Sequence, residues 1–495
     1  MASESSKPGT SSTADDIDAI SPASRILHTA PPEKVLEDKA AKFIAEHGEI
    51  AFDYEDERAV LKRVDRRILP LLLGAYFFQQ LDKSSLSYVS IFGIIEDANL
   101  TSQQYSWLSS ILYFGQLAFQ PLAAFLLVRL PTGKVIGTAI VLWGMTQALL
   151  AACTDFKSLI SLRFLLGAFE SLIAPSCIAI TQMWWRRSEQ TLRTSYWNAM
   201  NGVTQIVGSI VTYGLGHITS HQIYRYQIIF IFCGVSTFIY GITPIQQLHS
   251  SLRIASGGIG TFGNLNKSSC VGDFGYTNFN AILFNIPFNV IQIVSIVGSA
   301  ALATKIRRKG LVITLISLLP IIGTVLMLTV PRNGHTKGVL LFGYYLVSCL
   351  GVITPMIFTW QGQNTGGDTK KKTTTGVVIV GMCAGNIIGP QLFNTKNAPL
   401  YRPGLISALV QFSFVGTLGL LIPIYLIFLN KRHGKKRVQL GKRADVVDES
   451  MMRKKEMQQS QDSEVDQKEQ VTSLEDDNGL QDRSDLTNED FIYVY

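Results

Sequence analysis

Four Asp, Glu, Lys or Arg residues lie within the long apolar segments of this chain: Asp82, Lys83, Arg163 and Glu170. Charged groups are costly inside a lipid bilayer, so ionisable residues in such segments are candidates for function. A carboxyl group can bind and release a proton, which makes Glu170 and Asp82 candidates for proton coupling. Arg163 precedes Glu170 by two helical turns on nearly the same helix face, and a guanidinium can bind a carboxylate through two hydrogen bonds.

The positions of these residues leave alternative interpretations open. Asp82 and Arg163 lie at similar depths, about 10 Å and 8 Å from the outer ends of their segments at 1.5 Å per residue, so they could form a gate pair. Asp82 and Lys83 could instead simply reach the outer surface of the membrane. Arg163 and Glu170 could form a fixed structural pair rather than a site for a substrate and a proton.

Uncharged polar side chains in the apolar segments are further candidates. Asn201 and Gln205 are four residues apart, which places them on one helix face, and Asn386 lies in a later apolar segment. We expect Lys83, Asn201, Gln205 and Asn386 to bind substrate together with Arg163. Polar side chains also form hydrogen bonds between membrane helices, so a purely structural role is an alternative for each.

The composition is that of a membrane protein. Only 16% of the 495 residues are charged, against roughly 25% in a typical soluble domain, and the mean hydropathy is positive, +0.22. These values exclude a soluble multidomain enzyme. The sequence shows no nucleotide-binding loop, catalytic triad or metal-ligand cluster, so we expect no enzyme activity, no cofactor and no nucleic-acid partner.

Segments of about 20 apolar residues, the length of a helix that crosses the roughly 30 Å hydrocarbon core, recur along the chain. They predict an all-α protein embedded in the lipid bilayer. The predicted spans are 68–89, 105–128, 135–152, 158–181, 196–218, 227–248, 280–303, 311–330, 338–360, 374–393 and 404–429.

Lysine and arginine residues in the loops predict the orientation. With the N-terminal residues inside and twelve crossings, the inside segments contain 25 of these residues and the outside loops contain seven. Only eleven segments are long and apolar enough, so we expect the twelfth crossing to be a short, glycine-rich half-helix over 252–264. Strictly eleven crossings would place the basic residues of 305–309 outside.

The remaining sequence forms two tails and a shortened central region. Residues 1–66 are polar and lack the apolar segment of a signal peptide, and 445–495 contain 15 acidic and five basic residues. We expect both tails to be disordered and cytoplasmic. The predicted parts are an N-terminal tail (1–66), an N-terminal six-helix half (67–248), a central region with a remnant of helix 7 (249–279), a C-terminal helical half (280–430) and an acidic C-terminal tail (431–495).

Several short motifs stand out along the first half of the chain: LDKSSLSY at 81–88, RLPTGK at 129–134, RFLLGAFE at 163–170, APS at 174–176 and MWWRRSEQ at 183–190. Together they resemble motifs of fungal anion:cation symporters of the allantoate permease type, within the major facilitator superfamily. The fourth-span motif, RFLLGAFE, is the most specific. The resemblance implies a fold of two six-helix halves. The chain departs from the family between 243 and 258, where the central loop and the first half of helix 7 are missing.

The resemblance also implies a function and a location. It implies proton-coupled uptake of a small organic anion: allantoate, ureidosuccinate, a vitamin of the nicotinate or pantothenate type, or a small peptide. The protein is then expected to be a monomer in the plasma membrane with both termini cytoplasmic. The alternative is a transport-inactive membrane protein or nutrient sensor derived from the same fold, which the shortened region 249–279 favours.

Overall fold

The structure is a computed structural model in which all regular secondary structure of the described residues is helical. The described residues are 54–130, 132–215, 218, 223–251, 278–332, 334–393, 401–441, 451, 485–486, 488 and 491–495. The first helices are α1 (Tyr54–Arg67), α2 (Leu69–Ile91), α3 (Ile94–Asp97), α4 (Ser102–Arg129), α5 (Thr132–Leu149), α6 (Phe156–Glu170), α7 (Ile173–Trp184), α8 (Arg187–Leu215) and α9 (Arg225–Ser251). The later ones are α10 (Asn278–Ile306), α11 (Lys309–Thr329), α12 (Lys337–Val347), α13 (Ile353–Gln363), α14 (Asp368–Leu392) and α15 (Arg402–Gln439).

Each of the eleven predicted spans corresponds to one long helix or to two consecutive helices. The fourth span consists of α6 and α7, and the ninth consists of α12 and α13. Nine segments of the described residues are long and apolar enough to cross a membrane. The other two spans, α2 and α8, have more polar side chains, and many of these are buried inside the bundle. The predicted fold class, an all-α polytopic membrane protein, is therefore confirmed.

One end of the bundle brings together segments that the sequence predicts to be cytoplasmic. The guanidinium of Arg187 donates a hydrogen bond to the Gln363 carbonyl, and the Gln363 amide donates one to the Arg187 carbonyl. Asp65 of α1 forms an ion pair of 3.0 Å with Arg193 of α8 and accepts a hydrogen bond from the Trp185 indole. We call this the basic end, and it joins the first half of the chain to the second.

Helices α9 and α10 both run toward the basic end. α14 begins near the basic end, and its far end lies beside the start of α4, where Ser110 donates a hydrogen bond to the Ile387 carbonyl. α4 therefore runs toward the basic end, and α5 begins there, as α8 does. α9 packs antiparallel to α5, and α10 packs antiparallel to α8. Ser251, where α9 ends, and Asn278, where α10 begins, therefore lie toward opposite ends of the bundle, and the twelve crossings stay a prediction. The half-helix expected over 252–264 itself lies outside the described residues.

The longest contacts between the two halves lie along two helix pairs. α8 packs on α10, and α4 packs on α14. At the first pair, Gly202 lies so close to α10 that a Cβ atom there would be only 2.9 Å from the Asn289 carbonyl oxygen. Small residues allow membrane helices to approach in this way. The absence of a side chain at Gly202 thus lets the halves pack directly against each other.

A second close crossing fixes α6, the helix that carries two of the candidate site residues. A Cβ atom on Gly167 would overlap the Leu112 carbonyl oxygen, and one on Gly115 would overlap the Phe164 carbonyl oxygen. Only glycine permits this approach of α4 and α6 without a backbone shift. The crossing holds Arg163 and Glu170 at a fixed position relative to α4.

The structure differs from the expected tail boundaries in three places. α1 spans Tyr54–Arg67, so residues 54–66, which the composition assigned to a disordered tail, are helical. α15 continues to Gln439, so residues 431–439, which the composition assigned to a disordered tail, are helical. Residues 491–495 also pack against the bundle, and Tyr493 is only 3% exposed. The rest of the N-terminal tail expected over 1–66, residues 1–53, and most of the acidic tail, 442–450 and 452–484, lie outside the described residues.

Candidate functional site

Glu170 lies at a buried polar cluster between α2 and α6. Its Oε1 atom is 2.6 Å from the Lys83 ammonium and accepts a hydrogen bond of 2.9 Å from the Gln79 amide. Gln79 and Lys83 are four residues apart, so both extend from one face of α2. The Lys83 and Glu170 side chains are 7% and 1% exposed. A charge pair this deeply buried is strongly coupled, because either partner alone would be an uncompensated charge.

A break in the fourth span places Glu170 at the end of α6. Pro175 has no backbone N–H and cannot donate the helical hydrogen bond to the Ser171 carbonyl four residues earlier. α6 ends at Glu170 and α7 begins at Ile173. The break in the fourth span therefore directly follows the buried carboxylate.

The start of α6 is fixed by a side-chain cap. Asp155 accepts hydrogen bonds from the backbone N–H and the hydroxyl of Ser158, at 3.1 Å and 2.6 Å. These bonds satisfy an N–H group at the helix start, and the hydrogen bond from the Ser158 side chain lowers the pKa of Asp155. The cap defines where the helix that carries Arg163 begins.

Asp82 and Arg163 lie near this cluster without forming an ion pair. Asp82 is 1% exposed and accepts a hydrogen bond of 3.1 Å from Thr237 of α9, and Arg163 is 2% exposed. The Arg163 guanidinium lies 5.8 Å from the centre of the Phe230 ring. Asp82 Oδ1 and Arg163 Nη2 are buried without a hydrogen-bond partner among the described residues. These two atoms are available to a ligand or to each other in another conformation.

The structure decides between some of the alternatives that the sequence left open for the charged residues. Asp82 and Lys83 do not reach the outer surface, because both are buried between helices. Glu170 is paired with Lys83, so Arg163 is not its fixed partner in this conformation. The gate pair of Asp82 and Arg163 is not formed here and stays a hypothesis.

The uncharged candidates differ in their contacts. Gln205 donates a hydrogen bond of 2.7 Å to the Ser84 hydroxyl and accepts one of 3.1 Å from Tyr88, which connects α8 to α2. Asn201 is buried one turn earlier on α8. Asn386 donates a hydrogen bond to the Met382 carbonyl of its own helix. Their role in substrate binding stays a prediction.

Residues that the sequence analysis missed complete the cluster. Gln79 and Thr237 bind the two buried carboxylates, and Gln147 of α5 donates a hydrogen bond of 2.9 Å to Ser85. Gln79 could have been found, because a glutamine one turn before Lys83 in an apolar segment lies on the same face. Thr237 and Gln147 could not, because nothing in the sequence relates them to α2.

The arrangement combines two carboxyl groups with two cationic groups. One carboxylate is neutralised by Lys83, while Asp82 and Arg163 each keep a free polar atom. When Glu170 takes up a proton, the positive charge of Lys83 is no longer compensated and can attract an anion. Within the described part of the chain, no group of three or more His, Cys, Asp or Glu residues could hold a metal ion.

Comparisons with known proteins agree with the helical architecture. The family model of the Major Facilitator Superfamily matches residues 72–246. The crystal structure of the Escherichia coli fucose:proton symporter covers 72% of this chain and 98% of that chain, with a TM-score of 0.50 and 13% sequence identity. At this identity the likeness concerns the fold alone.

Curated relatives extend the similarity over most of the chain. An uncharacterised transporter of Schizosaccharomyces pombe is 30% identical over 446 residues, which cover 79% of this chain and 85% of the relative. The allantoate permease of Saccharomyces cerevisiae is 26% identical and covers 85% of this chain and 87% of the permease.

The first of these alignments also supports a deletion. Because 79% of 495 residues is about 391, some 55 of its 446 positions have no counterpart in this chain. This chain thus has gaps opposite about an eighth of the aligned positions. It belongs to the major facilitator superfamily, among the fungal transporters that include allantoate permease.

Proposed function

We propose that this protein imports a small organic anion together with protons. The observation that carries the proposal is the buried ion pair of Lys83 and Glu170, next to an Arg163 guanidinium with an unpartnered nitrogen. Allantoate, ureidosuccinate, vitamins of the nicotinate or pantothenate type and small peptides are the candidate substrates. Each carries a carboxylate, which a guanidinium binds through two hydrogen bonds.

The ion pair suggests how proton and anion binding are coupled. Protonation of Glu170 removes the negative charge that Lys83 compensates, and a lone buried ammonium is strongly unfavourable. A substrate carboxylate that binds near Lys83 and Arg163 restores the balance of charge. Proton and anion thus favour each other's binding, and loss of the proton on the other side releases the anion by restoring the Lys83–Glu170 pair.

The orientation of the protein in the membrane is proposed from the Lys and Arg residues of the basic end. Because inside loops are rich in Lys and Arg, the end that contains Arg187, Arg193 and the loop before α14 faces the cytoplasm in this proposal. Both termini are then cytoplasmic, and the protein acts as a monomer in the plasma membrane.

A second candidate function is a transport-inactive membrane protein or nutrient sensor of the same fold. Two observations favour it: the sequence departs from the family over 243–258, and this chain has gaps in the alignment with the Schizosaccharomyces pombe relative. A missing helix half would leave one side of the C-terminal half open, while the polar cluster of the N-terminal half could still bind a ligand.

Uptake into cells that lack their own anion permeases distinguishes the two functions. We expect cells that express this chain to accumulate at least one labelled anion from the candidate panel, above cells with an empty vector. A matched chain, with the family's central segment inserted at 249–256, controls for the deletion. Uptake by the restored chain alone would support the inactive form, and uptake by neither at equal surface expression would contradict transport.

A further inference from the structure

Residues 491–495 have the sequence FIYVY and lie against the basic end of the bundle. Tyr493 and Val494 are 3% and 9% exposed, and the Tyr493 ring lies 5.4 Å from the His433 ring of α15. His433 also forms a hydrogen bond of 3.0 Å with the Phe491 carbonyl. These residues therefore occupy a formed groove and not an open surface.

Two asparagine side chains in the groove bind the backbone of this segment. The Asn430 amide donates a hydrogen bond of 2.9 Å to the Tyr493 carbonyl and accepts one of 2.8 Å from the Tyr493 N–H. Asn364 binds the carbonyl and N–H of Val494 in the same manner, at 2.8 Å and 2.7 Å. The Trp360 indole donates a further hydrogen bond to the Val494 carbonyl. The groove thus satisfies every backbone polar group of two consecutive residues, as a neighbouring β-strand would.

An acidic residue anchors the segment at a second point. Asp485 is 2.5 Å from the Lys370 ammonium and accepts a hydrogen bond of 3.2 Å from the Gly366 N–H. The Tyr493 hydroxyl donates a hydrogen bond of 2.9 Å to the same carboxylate. Burial raises the pKa of Tyr493, so its hydroxyl keeps the proton for this bond at neutral pH.

The segment contacts both halves of the protein. Asn364, Lys370 and Asn430 belong to the second half, whereas Arg187 begins α8 in the first half. The Arg187 guanidinium donates a hydrogen bond of 3.1 Å to the Ile492 carbonyl and lies 5.1 Å from the centre of the Phe491 ring. Arg187 also binds Gln363 directly, so the segment reinforces the contact that closes the basic end.

We propose that Asp485 and residues 491–495, which we call the latch, hold the basic ends of the two halves together. This end opens only after the segment leaves its groove, so occupancy of the groove sets the rate of opening. The effect on transport rests on the proposed function, because the restrained opening is the one that would release substrate. Docking of the segment and closure of the basic end do not depend on the proposed transport function.

The substitution Gly366→Ala tests docking with little other change. A Cβ atom on Gly366 would lie 2.8 Å from the Asp485 backbone nitrogen and 3.0 Å from the Phe491 ring. The matched control is Gly376→Ala, at a glycine of α14 whose added Cβ would meet nothing within 4 Å. A chain that ends at Ser484 is the second variant, and it removes the segment without changing the groove.

Hydrogen–deuterium exchange of the purified protein measures both docking and closure. We expect slow exchange at Tyr493 and Val494 in the parent and in Gly376→Ala, and exchange about tenfold faster in Gly366→Ala, because these N–H groups lose their partners. Peptides that cover 187–193 and 361–366 should exchange faster in Gly366→Ala and in the shortened chain. Fast exchange at Tyr493 and Val494 in the parent, or unchanged exchange of those two peptides in both variants, would overturn the latch.

Transport assays of the same variants add a separate readout. We expect the initial rate of uptake to rise about threefold or more in both variants if opening limits the rate. An unchanged or lower rate in both variants, with surface expression equal to the parent, would contradict a latch on transport. If the parent itself transports no anion, the proposed function fails, and the exchange data alone still decide whether the latch exists.

Discussion

Replacement of Glu170 by glutamine is expected to abolish accumulation of the anion against its gradient. The glutamine can keep the hydrogen bond from Gln79, but it cannot release a proton, so the cycle would lose its coupling step. Exchange of labelled substrate for preloaded substrate should continue, because it does not require deprotonation. We expect concentrative uptake to fall by about 100-fold or more, within the range known for the loss of a positioned proton-transfer group.

The measurement compares net uptake and exchange in the same vesicles. Glu96→Gln is the matched control, because Glu96 is exposed on α3 and should leave both activities unchanged. Unchanged accumulation in Glu170→Gln would exclude Glu170 as the proton carrier. A parallel loss of uptake and exchange would instead indicate that the residue is needed for binding or folding.

Removal of Lys83 alone is expected to destabilise the protein strongly. Lys83→Met leaves Glu170 as a buried carboxylate whose remaining partner is the Gln79 amide. Breaking a buried ion pair from one side typically costs about 3–5 kcal/mol, whereas replacing both partners is often nearly neutral. The double variant Lys83→Met/Glu170→Gln should therefore recover most of the lost stability.

Thermal unfolding in detergent, followed with all four members of the double-mutant cycle, gives the coupling between the two residues. We expect the double variant to unfold close to the parent temperature but to remain inactive in concentrative uptake. Independent effects of the two substitutions would show that the pair contributes no coupling, contrary to the contact of 2.6 Å. A stable but inactive double variant would separate the role of the pair in transport from its role in folding.

The sequence predicted the helices well because their length and apolarity are set by the bilayer. Each predicted span has a counterpart, and even the polar spans α2 and α8 were found, because their buried glutamines and asparagines interrupt otherwise apolar runs. The crossing between 251 and 278, inferred from loop charge, lies outside the described residues and stays a prediction, and the directions of α9 and α10 are those that it requires.

The charge pairing within the site could not be predicted in the same way. Glu170 and Lys83 were each identified as buried ionisable residues, but they are 87 positions apart in the sequence. Periodicity within each helix states which face a residue occupies, and it does not state which face of another helix it meets. Arg163 therefore looked like the natural partner of Glu170, because both lie on the same helix face.

The groove at the basic end was missed for a different reason. The composition of 445–495 is dominated by acidic residues, and this average concealed the apolar run at 491–495. Three aromatic and two β-branched residues in succession are unusual for a disordered segment. That run was the available signal, although the asparagines that bind its backbone could not be identified from the sequence.

The most direct test of proton-coupled anion uptake uses purified protein in liposomes with an imposed pH gradient. We expect labelled anion to accumulate above equilibrium only when the outside is acidic, with an alkaline shift of the external medium as protons enter with the anion. A protonophore should abolish the accumulation and leave exchange intact. Accumulation that is independent of the pH gradient, or transport without proton movement, would contradict the account.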